Sequence, residues 1–119
     1  MLKLVALLKR KPGMSMEEFK EYYETNHLPI GLPQLKGHAI SHHRRYLTPI
    51  PGPDGQASEG DYDVIMEIWF EDQAQLENAM QIWQDPDLVE RVAEDTPNFL
   101  DRADNPMFFV EEHATDMRR

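Results

Sequence analysis

No cysteine occurs among the 119 residues, so disulfides, thiolate nucleophiles and cysteine-held zinc or iron–sulfur centres are excluded. Positive charge is scarce: 12 Lys and Arg stand against 22 Asp and Glu, a formal net charge of −10. So acidic a chain lacks the cationic surface that non-specific nucleic-acid or anionic-membrane binding requires. Long apolar runs are missing as well. The N-terminal stretch LKLVALLKR is too short for a membrane span, and its basic residues mostly follow the apolar ones, the reverse of a secretory signal. Glycine-rich phosphate loops are absent, since PGPDGQ (51–56) has neither the GxGxxG form nor the P-loop form. Ser41 and Ser58 lack the surroundings of a nucleophile elbow. Covalent catalysis, nucleotide binding and hydride transfer through a dinucleotide find no support. The expectation is a soluble, cytoplasmic protein with no nucleic-acid or membrane partner.

What is present fits one domain spanning 1–119, with 40% hydrophobic residues and room for one modest core. Residues 2–10 read as a central strand with apolar side chains on both faces. Ser15 is an N-cap with Glu18 completing a capping box, Met14 can staple against Phe19, and Phe19, Tyr22, Tyr23 and His27 recur at helical spacing. This helix is expected to stop where Pro29 and Pro33 follow His27. Residues 36–47 read as a strand, and 48–60, with three prolines and three glycines, as a long loop able to act as a lid. Residues 61–71 alternate as a strand. A helix begins after Asp72, a second follows Asp85 with Pro86 at its first position, and 107–114 closes as a strand. The order β-α-β-β-α-β predicts an α+β, ferredoxin-like antiparallel sheet with helices on one face. Its other face, apolar in part, then requires cover, which predicts a homodimer.

The segments LKLVALLKRKPGMSMEEFKEYYETNHLPI, YDVIMEIWFED and FLDRADNPMFFVEEH resemble the EthD family of the dimeric α+β barrel superfamily, over nearly the whole chain. The sharpest element is the His ending the first helix with Pro two positions later. The family pattern has Trp four residues before that His, where this chain has Tyr23. The resemblance implies two protomers with their sheets face to face and a small-molecule cavity in each. Relatives include polyketide cyclases, isomerases, decarboxylases, dehydratases, cofactor-free monooxygenases and members without known activity.

Candidate chemistry centres on His27. Imidazole moves protons near neutral pH without a cofactor, whereas an ordinary histidine at a helix end merely complements the dipole. Tyr23, one turn earlier, and Asp63, at the family's YD position, are its expected hydrogen-bond partners. Asp63 has the alternative of pairing with Arg44 or Arg45. Glu67, roughly 13 Å from Asp63 along the strand, cannot form a carboxylate dyad with it and is expected to pair with His42, His43 or Arg44. Tyr22, Tyr62, Trp69, Trp83 and His43 are candidate substrate-binding residues, although aromatics at such spacing commonly build plain core. His42 and His43 point to opposite faces of a strand and cannot share an ion, so no metal and no cofactor is expected. The reading is cofactor-independent acid/base chemistry (cyclisation with dehydration, isomerisation or decarboxylation) on a small aromatic or polyketide-like substrate. A cofactor-free monooxygenase and a non-catalytic ligand-binding dimer are the alternatives.

Overall fold

The computed structural model describes residues 1–58 and 60–119. The chain runs β1 (Leu2–Leu8), α1 (Met16–Tyr22), a π turn (Tyr23–His27), α2 (Leu28–Leu35), β2 (Ser41–Tyr46), β3 (Val64–Phe70), α3 (Gln73–Trp83), α4 (Pro86–Asp95), a 3-10 turn (Thr96–Asn98) and β4 (Met107–Phe109). The strands form one antiparallel sheet in the order β2-β3-β1-β4. This is the expected α+β, ferredoxin-like topology.

Strand alternation decides which face carries the helices. Leu4, Ala6 and Leu8 of β1 and Val64, Ile68 and Phe70 of β3 are buried. They pack against Phe19, Tyr23, Leu28, Leu35, Leu76 and Ala79 from the helical layer. The intervening residues, among them Val5, Leu7, Ile65, Glu67 and Trp69, lie on the other face, which no helix among the described residues covers. The molecule is accordingly a slab measuring 48 × 44 × 21 Å, one sheet and one helical layer thick.

Local chemistry sets the helix starts as expected. Ser15 Oγ accepts from the Glu18 N–H, and Glu18 accepts from the Ser15 N–H. Asp72 and Asp85 cap α3 and α4 through the N–H groups of Gln75 and Leu88. The first helix, however, does not stop at His27. It widens into the π turn, where the Leu28 N–H reaches the Tyr23 carbonyl, and continues as α2. Proline breaks a helix by lacking an N–H and crowding the carbonyl four residues back. The wider turn absorbs that conflict, because Pro29 falls in the first turn of the new segment, where its N–H is not needed.

All four strands are shorter than their patterns imply, β1 ending at Leu8 rather than at Arg10. Residues 36–40 form a helix-to-strand turn around Gly37, whose φ of +87° is the left-handed region favoured by glycine. Regular pairing of β3 begins only at Val64. β4 ends at Phe109, which pairs with Leu4, and only Lys3 and Leu2 of β1 lie beyond that register. A Val110 N–H to Lys3 carbonyl bond and a Lys3–Glu112 ion pair tie the start of the tail down. His113 is exposed there, beside Glu111. None of the described helices is long and apolar enough to cross a membrane.

Candidate active site

The π turn aims His27 inward. Its ring rests on Phe99 (centroids 4.5 Å apart) and meets Tyr23 edge-on at 5.8 Å. Nδ1 lies 2.8 Å from Asp95 Oδ2. Asp95 ends α4 and also accepts hydrogen bonds from the Tyr22 hydroxyl (2.5 Å) and from Asn98 Nδ2 (3.4 Å). Burial alone would raise the Asp95 pKa, but the bonds from Tyr22, His27 and Asn98 together outweigh it and lower the carboxyl below its ordinary value. The same bond pushes the Tyr22 phenol up. An ionised carboxylate on Nδ1 fixes the tautomer of the neutral imidazole, with the proton on Nδ1 and the lone pair on Nε2. Nε2 has no hydrogen-bond partner among the described residues.

His27 and Tyr23 form part of the wall of a cavity of about 390 Å³ between α2, α4 and the sheet. Leu28, Leu32, Leu35, Ile68, Trp83 and Leu88 make it mostly apolar. Met66 and Met107 line its sheet side, and the buried Ala6 lies in register between them. A second cavity, about 920 Å³, adjoins the first through Leu28, Leu32, Leu35, Ile68 and His42, and opens between α2 and residues 36–44. These volumes suit a small organic ligand.

His42 borders both cavities. It stands opposite Ile68 on the helix-covered face of β2. Its Nδ1 is 3.2 Å from Arg44 Nη1, and Arg44 is held by two bonds to Glu24 (3.0 and 2.8 Å), which also accepts from the Tyr46 hydroxyl. Burial first, and Arg44 second, lower the His42 pKa to about 4, against a smaller opposing pull from Glu24. Burial likewise pushes the Tyr23 phenol well above its ordinary range, so it stays neutral.

Of the residues singled out from sequence, Tyr23, His27 and Trp83 border the cavity and the others do not. Asp63 is a correction. It accepts from the Arg10 N–H at 2.9 Å and pairs with Lys9 at 3.4 Å, at the edge where β1 leaves the sheet. The carboxylate on His27 is Asp95 instead. Tyr22 stacks on Phe99 and serves Asp95 rather than a ligand. His43 and Trp69, 4.4 Å apart, face the uncovered side, where Ser41 Oγ bonds His43 and Lys3 sits over the indole. Alternation put them on the face opposite the cavity. Glu67 pairs with Arg45 and accepts from the Trp69 indole, rather than from a histidine. Tyr62 sits just before β3, beside Asp63, and borders no cavity. The loop 48–60, whose residue 59 lies outside those described, joins β2 and β3 at the Tyr46–Val64 end of their ladder. The large cavity lies towards the opposite, Ser41–Trp69 end, and none of the loop's described residues lines it.

Asp95, which holds His27, and His42, which borders both cavities, are the residues of this arrangement that sequence reasoning did not place there. An acidic residue closing a helix opposes the dipole, and that misfit was the available signal for Asp95. For His42 the signal was its place on the strand face shared with Arg44 and Tyr46.

The EthD domain model matches residues 11–103. The conidial pigment biosynthesis dehydratase EthD of Metarhizium robertsii is 31% identical over 107 residues, which cover 82% of this chain and 72% of that protein. Among solved structures, an ethyl tert-butyl ether D (EthD) family protein from Bacillus halodurans is similar with a TM-score of 0.58 at 18% identity, over 95% of this chain and 100% of that one. An EthD-like protein from Ralstonia eutropha gives a TM-score of 0.62 at 15% identity, over 99% and 96% of the two chains.

Proposed function

The chain belongs to the EthD family, and from that premise we propose that it is a cofactor-independent enzyme that removes water from a small aromatic or polyketide-like β-hydroxy ketone. The carrying observation is the His27–Asp95 pair, with the lone pair of Nε2 left unbonded on a histidine that borders an apolar cavity. His27 Nε2 takes the proton from the carbon next to the carbonyl. The electron pair left behind forms the carbon–carbon double bond as the neighbouring C–O bond breaks. The imidazolium returns its proton to the departing hydroxyl, and water leaves. Electrons and atoms balance without oxidant, reductant or metal. Asp95 holds the tautomer and stabilises the imidazolium, and Tyr23 positions the ring by packing against it. Among the reactions open to such a base, loss of water is favoured by the relative named as a dehydratase.

The working unit in this reading is a homodimer. Val5, Leu7, Ile65 and Trp69 lie on an open sheet face, with Phe108 in register beside Val5, and a second copy meeting the same face buries them twice over.

The test uses 3-hydroxy-1-tetralone, whose dehydration gives fluorescent 1-naphthol. Wild type should release naphthol without consuming oxygen, and His27→Ala should fall by about 100-fold or more. Equal rates in the two proteins would refute the base assignment.

A further inference from the structure

His42 pairs with Ile68 in the sheet, and a chain of three side chains fixes its ring. Tyr46 and Arg44 both bond Glu24, Arg44 is thereby held in place, and its Nη1 meets His42 Nδ1 at 3.2 Å as well as the His42 carbonyl at 3.1 Å. A guanidinium can only donate. Nδ1 must therefore accept, so the single proton of the neutral ring sits on Nε2. This is the reverse of His27, where a carboxylate holds the proton on Nδ1. Two histidines bordering one cavity are thus wired oppositely, one as an acceptor and one as a donor.

We infer that His42 is a further catalytic residue: its Nε2–H binds the substrate's carbonyl oxygen and stabilises the negative charge that develops there as His27 removes the neighbouring proton. The assignment rests on the proposed function for its reaction, and on the Arg44 bond alone for its donor character. A neutral donor is the better instrument here. It polarises the carbonyl without giving up its proton to the enolate, which His27 must receive and return. The assignment also narrows the substrate class. The accepting oxygen belongs to a ketone or a similar uncharged carbonyl, because Arg44, the charged group closest to His42, is already neutralised by Glu24. The His42 position, shared by both cavities, puts that carbonyl at their junction, with the aromatic part on the His27 side and any extension running towards Lys36 and Ile40.

The experiment compares two probes of matched shape, 2-acetylnaphthalene, which only accepts hydrogen bonds, and 2-isopropylnaphthalene, which makes none. Their dissociation constants are measured by fluorescence for wild type, His42→Phe and His42→Gln, with melting curves to confirm folding. The ratio of hydrocarbon to ketone constants cancels cavity size and solubility between variants. It should fall roughly three- to tenfold in His42→Phe, the worth of one hydrogen bond, and recover in part in His42→Gln, whose amide still donates. A ratio unchanged in both variants, or absence of ketone binding in wild type, overturns the assignment. If His42→Phe does not fold, His42→Met, which cannot donate either, takes its place, and an unchanged ratio there decides against it. No naphthol is formed in this assay, so failure of the His27 reading leaves the ratio unaffected and shows only in the turnover test.

Discussion

Replacing Asp95 by Asn exchanges one oxygen for an NH₂ group and inverts the site. The carboxylate accepts from three donors: His27 Nδ1 at 2.8 Å, the Tyr22 hydroxyl at 2.5 Å and Asn98 Nδ2 at 3.4 Å. An amide retains one acceptor and gains two hydrogens. With its oxygen kept on Tyr22, its nitrogen faces His27, and the imidazole must move its proton to Nε2 to avoid a donor–donor contact. The nitrogen assigned as base is then already protonated. Loss of a positioned general base costs about 100- to 10,000-fold in rate. The stability change is smaller, because the amide still pairs both neighbours: about 1 to 2 kcal/mol for a charge-assisted bond replaced by a neutral one. That corresponds to a fall of roughly 4 to 8 °C in a domain of this size. Naphthol release gives the rate, and nitrogen NMR of the labelled imidazole gives the tautomer. Wild-type turnover in Asp95→Asn, or an Nδ1–H tautomer persisting in it, would refute the reasoning.

The remaining predictions concern support, titration and assembly. Phe99 is fully buried and stacks against Phe19, Tyr22, Tyr23 and His27, so Phe99→Ala should cost about 3 to 5 kcal/mol by denaturant unfolding; a loss under about 1 kcal/mol would contradict its role as the platform. The His42 pKa, lowered to about 4 in the folded chain from an ordinary value near 6.5 in the unfolded one, makes the unfolded state bind more protons between those values. Its stabilisation is therefore complete above about pH 6.5 and lost as pH falls through about 4, some 2 kcal/mol after allowing for partial exposure. His42→Leu should flatten that limb of a pH–stability curve, and an unchanged slope would show that His42 titrates normally. Ala6→Leu should crowd its neighbours Met66 and Met107, which line the cavity, and weaken binding of 2-acetylnaphthalene at least tenfold, at an overpacking cost of about 1 to 3 kcal/mol; unchanged affinity would place the ligand elsewhere. Trp69→Glu on the open face should convert a dimer to monomer in light scattering, whereas a wild type that is itself monomeric would remove the dimer from the account.

Much of this architecture was legible in local chemistry. Ser15 with Glu18, Asp72 with Gln75, and Asp85 with Pro86 mark helix starts whose causes lie within four residues. Alternation in VIMEIWF separated a covered from an open face before any partner strand was known. Errors arose where non-local partners decide the outcome. Pro29 looked like a stop because proline normally is one; only a π turn, stabilised by aromatic packing of Tyr23, lets the helix pass. The last strand was overextended because nothing in MFFVEEHA records that β1 begins at Leu2. The site divides in the same way. His27 and Tyr23 were visible as a helical pair, and Trp83 as part of an apolar stripe. Asp95 lies 68 residues from His27, so no spacing rule could join them. Asp63 was assigned to His27 on resemblance, and its partners, the Arg10 N–H and the Lys9 side chain, lie more than fifty residues away at the end of β1.

Proton removal by His27 is the central claim, and it can be watched without a completed reaction. Incubating 1-tetralone with the protein in D₂O and following the signal of the methylene next to the carbonyl by proton NMR measures that step alone. The account predicts that wild type speeds exchange well above the buffer rate, and that His27→Ala and Asp95→Asn return it to that rate. Exchange that is equally fast in His27→Ala, with the fold intact, would contradict it.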